Sequence, residues 1–108
     1  MNEFAKRAFQ NEMRLGCRQL IEMDGSTELP IHIDTRKKLF CDMCAVPREK
    51  LEETVREVSR IAVDGSALCM DMAASSVTPD EAEAVLQKYF FLVYEETERY
   101  ILAVKRSN

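Results

Sequence analysis

Apolar side chains recur at alternating steps of four and three residues from Leu51 to Met72, passing through Val55, Val58, Ala62, Gly65 and Cys69. That spacing keeps them on one face of an α-helix, which turns once every 3.6 residues. Thr54, Ile61 and Leu68 widen the stripe to about three positions in seven, the width of a helix packed against several neighbours. The pattern predicts one long helix over 47–75, opened by Pro47, whose missing N–H costs nothing in a first turn. Gly65 is discordant, at about 1 kcal/mol against alanine inside a helix. The stripe nevertheless keeps its phase across Asp64-Gly65-Ser66, so the helix is read as continuous.

The same period governs both ends of the chain. Phe9, Met13, Gly16, Cys17, Leu20 and Met23 predict a first helix over 2–24, ended by Gly25. Thr78-Pro79-Asp80-Glu81 combines a capping box with proline at the first helical position. A last helix is predicted from there to Lys105, its inner face built from Ala82, Leu86, Tyr89, Phe90, Val93, Tyr100 and Val104. A competing reading makes 89–95 and 100–105 a β-hairpin, but Glu96-Thr97-Glu98 lacks the Gly, Asn or Asp that such turns favour. Between these helices, Leu29, Ile31 and Ile33 alternate with Pro30, His32 and Asp34, suggesting a short extended segment. A short helix over 35–45 follows, with Asp34 or Thr35 as its cap and Leu39, Phe40 and Met43 turned inward.

The fold class expected is therefore all-α, an antiparallel bundle of three long helices and one short one, in a single domain over residues 1–108. Composition agrees with a packed domain: 46% of the 108 residues are hydrophobic and 31% charged, which excludes a core-poor disordered chain. No apolar run approaches the roughly 20 residues that span a bilayer, and the charged start of the chain predicts no secretory signal. Four cysteines without such a signal point to the cytoplasm. A net charge of −4 supplies no positive field for a phosphate backbone, which argues against nucleic acid as a partner.

Candidate chemistry is sparse. Cys41 and Cys44 are three apart, a spacing that on a helix lets two thiols reach one metal. Cys17 and Cys69 lie on apolar stripes, where cysteine acts as a small hydrophobe, so no complete ligand set is expected and no metal or cofactor is assigned. His32, the single histidine, has no acidic partner in sequence and is expected at the surface. Glu49, Glu52, Glu53 and Glu57 line the polar side of the long helix, as the magnesium-holding glutamates of helical nucleotide pyrophosphohydrolases do, but no second acidic pair is placed to face them.

Surplus apolar surface is the stronger signal. Phe91 and Leu102 fall opposite the predicted inner face of the last helix, flanked by Tyr94 and Ile101, and aromatic groups left uncovered mark interfaces. Arg36, Lys37 and Lys38 oppose the positive end of their helix dipole, a local cost that binding would explain. The function expected is a non-catalytic protein-binding module of regulatory, adaptor or inhibitor type, such as a phage or mobile-element inhibitor of a larger enzyme. It is expected to form a homodimer and to bind another protein. A metal- or thiol-sensing regulator using Cys41 and Cys44 is the alternative, and a pyrophosphohydrolase-like enzyme the third.

Overall fold

In a computed structural model, which describes residues 1–33 and 37–106, the long helix ends early. Helix α2 spans Arg48–Ile61 and buries Leu51, Thr54, Val55, Val58 and Ile61, the first half of the predicted stripe. Gly65 then adopts a φ of +88°, a left-handed turn that an α-helix cannot contain. Beyond it, Ala67–Asp71 is a β-strand buried at every position. A strand covered on both faces is a continuous apolar run, and any such run contains residues at helical steps. The stripe's phase across Gly65 is therefore coincidental.

Both other long helices divide in the same way. Helix α1 (Glu3–Arg14) begins at Asn2, whose side-chain oxygen accepts the Ala5 N–H at 2.7 Å. It stops short of Gly16, at φ +107°, and Gln19–Asp24 is strand β1. The segment expected as a short helix is instead strand β2 (Leu39–Ala45), and Ala67–Asp71 is β3. Helix α3 (Pro79–Lys88) has the expected capping box between Thr78 and Glu81. It ends where Phe90 turns left-handed, at φ +71°, and strands β4 (Phe91–Glu96) and β5 (Tyr100–Lys105) follow as a hairpin. The competing hairpin reading is the one the structure adopts. Its turn is closed by Thr97, whose hydroxyl accepts the N–H groups of Arg99 and Tyr100 in place of a glycine turn.

The all-α helical bundle is thus corrected to an α/β fold with a five-stranded mixed sheet in the order β1-β2-β3-β5-β4. β1, β2 and β3 run parallel, and β5 is antiparallel to both β3 and β4. Strand alternation sorts the core into two layers. Leu39, Cys41, Met43, Leu68, Met70, Phe91, Ile101 and Ala103 face α2 and α3. Phe40, Ala67, Cys69 and Leu102 face α1, meeting Phe4, Ala5 and Ala8. Residues 26–33 form no strand; Ile31 and Ile33 pack onto the larger layer, and the Ile31 N–H donates to the Glu57 carboxylate. Among the described residues no helix is long and apolar enough to cross a membrane.

The layers are unequal for a geometric reason. Strands about 4.8 Å apart make a five-stranded sheet about 19 Å wide between its outer strands, while one helix is about 10 Å across. Two helices cover one face. The other has only α1, lying over β2, β3 and β5, so a cleft remains at each end of that helix.

Candidate functional site

The cleft at the C-terminal end of α1 has a volume of about 570 Å³ and a mainly apolar lining that includes Leu15, Leu92, Tyr94 and Val104. Leu92 pairs in register with Val104, which packs on the α1 layer, so both point to the half-covered face. Leu15 is 65% exposed, Leu92 55% and Tyr94 50%. Phe90, also exposed, extends the apolar patch around edge strand β4. Polar groups are few. The Tyr94 hydroxyl donates to Glu12, a buried residue whose carboxyl is raised above the usual range by burial, an effect that nearby Lys38 only partly offsets.

Lys38 is built into the wall. Its ammonium donates to the Leu15 carbonyl at 3.2 Å, and its stem passes Gly16 and Gly65, where a Cβ on Gly65 would stand 2.6 Å from Lys38 Cε. Both glycines serve positive-φ turns beside a lysine stem. Lys37 is exposed, and Arg36, with the proposed helix caps Asp34 and Thr35, lies outside the described residues. Of the apolar group expected at the surface, only Tyr94 is there. Phe91 and Ile101 are fully buried beneath α2 and α3, and Leu102 is buried beneath α1. Those three were placed outside by helical spacing, whereas a strand turns successive residues to opposite layers.

The cleft at the N-terminal end of α1 is of another kind. It lies over the C-terminal ends of β1 and β2 and is polar, bounded by Asn2, Glu22, Asp24, Asp42 and Cys44. Cys41 and Cys44 do not converge, because residues three apart on a strand face opposite ways. Cys41 is fully buried in the α2/α3 layer, its thiol pushed up to about 12 by burial. Cys44 instead meets Cys69 of β3, Sγ to Sγ 3.7 Å. Asp42 stands directly opposite Cys69 in the parallel register, with Oδ1 3.6 Å from its sulfur, and accepts the Cys44 N–H at 3.0 Å. The hydrogen bond to Cys44, then burial, raise the Cys69 thiol far above its ordinary value.

This grouping was invisible to a helical reading, which spent Cys69 on an apolar stripe. The signal for it is Asp42-x-Cys44, a carboxylate and a thiol two apart and hence side by side on one face of a strand.

Three of the four α2 glutamates, Glu52, Glu53 and Glu57, are engaged separately. Glu52 accepts from Lys88 and the Tyr89 hydroxyl, Glu53 pairs with Lys50, and Glu57 pairs with Arg60. Among the described residues no acidic pair faces them across a cleft. His32 is exposed and Cys17 is core, its sulfur against the Leu39 carbonyl. Comparison with protein-family models, with curated proteins and with solved structures yields no match to this chain.

Proposed function

We propose that the chain is a protein-binding module that receives an apolar segment of another protein in the cleft beside α1 and β4. The observation that carries this reading is the pair Leu15 and Leu92, each more than half exposed across a cleft of about 570 Å³. Leu92 sits on a sheet face that a helix covers elsewhere, and Leu15 ends that helix. A partner helix laid there would complete the layer as α1 does over the central strands, with apolar anchors in the cleft and an acidic flank toward Arg106 at its mouth. No catalysis is assigned to the module. Its four free cysteines suit a reducing compartment such as the cytoplasm.

The test places a photo-crosslinking amino acid at position 92 in cells of the native host, with and without Leu15→Glu, and separately purifies Leu15→Glu, Leu92→Glu and the double variant. Each should retain the wild-type circular dichroism, because both residues face solvent. The wild-type scaffold should give one dominant adduct of defined mass, lost when Leu15→Glu is added. Adducts that persist with Leu15→Glu, or none at all, would remove the proposal. Scattering mass of the purified chain separates a second copy from a foreign partner: a monomer that shifts to a dimer only without these glutamates identifies the occupant as the chain itself.

A further inference from the structure

We propose that Asp42, Cys44 and Cys69 form a three-ligand site for a borderline-soft divalent cation of the zinc type, with the fourth coordination position facing the polar cleft beside Glu22. The three ligand atoms all lie within 4.8 Å of one another. With metal–sulfur bonds of about 2.3 Å and a metal–oxygen bond of about 2.0 Å, a tetrahedron has edges of about 3.8 Å between sulfurs and about 3.5 Å between sulfur and oxygen. The corresponding separations here are 3.7 Å for Cys44 to Cys69 and 3.6 Å for Cys69 to Asp42. A disulfide would need the sulfurs at about 2.05 Å, whereas here they stand 3.7 Å apart, the spacing of two thiolates on one ion.

Burial and charge point the same way. Asp42 is only 7% exposed, and its partners among the described residues are one N–H and one thiol, with no cationic side chain. A carboxylate so enclosed is costly unless a positive charge accompanies it. A divalent cation supplies that charge, and binding would release the two thiol protons to solvent. The elements hold the ligands in place: Asp42 and Cys44 share one face of β2, and Cys69 is fixed by the parallel register of β3. Glu22 pairs with Asp42 from β1 and borders the same cleft. Three protein ligands and one open side are the pattern of an exchangeable or reactive centre, whereas structural zinc is closed by four. This site lies at the opposite end of α1 from the protein-binding cleft and stands independently of it.

Cobalt(II) added to the metal-free, fully reduced chain is the experiment, read by absorption and checked by zinc competition. The expected result is one cobalt per chain, with sulfur-to-cobalt charge transfer and ligand-field bands of tetrahedral intensity, both abolished by one equivalent of zinc. Cys44→Ser should halve the charge-transfer band and Asp42→Asn should weaken binding at least tenfold, while Cys17→Ala and Cys41→Ala leave both bands intact. Cys44 is partly exposed, so its substitution tests the site even if a Cys69→Ala chain fails to fold. The proposal is overturned by cobalt spectra without charge transfer, by bands that survive Cys44→Ser undiminished, or by a wild-type chain kept fully reduced that takes up no cobalt.

Discussion

Lys105 closes the end of α2 from across the fold, and replacing it with methionine tests how much a helix here depends on tertiary capping. The side chain leaves the last residue of β5, is 9% exposed, and donates from its ammonium to the carbonyls of Ser59 and Ala62, the latter at 2.9 Å. Those acceptors belong to the helix C-terminus, where the dipole is negative and the final carbonyls have no partner within the helix. Methionine keeps most of the stem and its packing but removes the charge. Leaving each buried carbonyl unsatisfied costs about 1–3 kcal/mol, and relief of the ammonium's desolvation returns part of the sum, so a net loss of about 2–3 kcal/mol is expected. At about 4–8 °C per kcal/mol for a domain near this size, Tm should fall by roughly 10–20 °C. Thermal and urea unfolding followed by circular dichroism measure it, with exposed Lys37→Met as the control that should change neither. A Lys105→Met protein within about 0.5 kcal/mol of wild type would refute the reasoning, because that is the scatter expected of a surface substitution.

Two further substitutions probe the corrected architecture and its charges. Phe91→Ala should cost about 3–5 kcal/mol in urea unfolding, since the ring is fully buried beneath α2 and α3 and its removal leaves a cavity; a loss under 1 kcal/mol would mean that the side chain faces solvent after all. Glu57 is held below the usual carboxylate range, chiefly by its bond to Arg60, against the opposing effect of burial and with help from the Ile31 N–H. A depressed folded-state value means that its stabilisation is present above the unfolded carboxyl value and is lost as pH falls through the lower folded one. Glu57→Gln should therefore lower stability by about 1 kcal/mol near neutrality, with the gap closing in strong acid. A gap that widens on acidification would contradict the assignment.

Local signals were legible where a helix begins or keeps one wet face. The buried face of α2 from Leu51 to Ile61, the Thr78–Glu81 capping box and the start of α1 at Asn2 all follow from short-range chemistry that any chain with these residues would share. What misled the reading was a set of missing or ambiguous stop signals. Helix α3 ends on Phe90 in a left-handed conformation, where glycine or asparagine is usual. The β4–β5 turn is closed by the Thr97 hydroxyl. β2 is buried on both faces over most of its length and β3 throughout, so their periodicity carried no preference between strand and helix.

The candidate sites followed the same division. Cys44 and Asp42 could be paired from their spacing once β2 is known to be a strand, but Cys69 joins them only through the alignment of β2 with β3. Leu92 and Leu15 become neighbours only because α1 and β4 share a sheet face that one helix is too narrow to cover.

The residues alone specify where each of the three helices begins, which side of α2 is buried, and that the chain has enough apolar residues for a packed domain. The tertiary structure alone decided that Leu39–Ala45 and Ala67–Asp71 are strands, that Phe91 is core and Leu92 surface, and that two thiols and a carboxylate from separate strands stand within reach of one ion. The physical reason is burial on both sides. A helix with one wet face writes its period into the residues, whereas a strand enclosed between two layers is chosen by the partners that satisfy its backbone, and those partners lie far away along the chain.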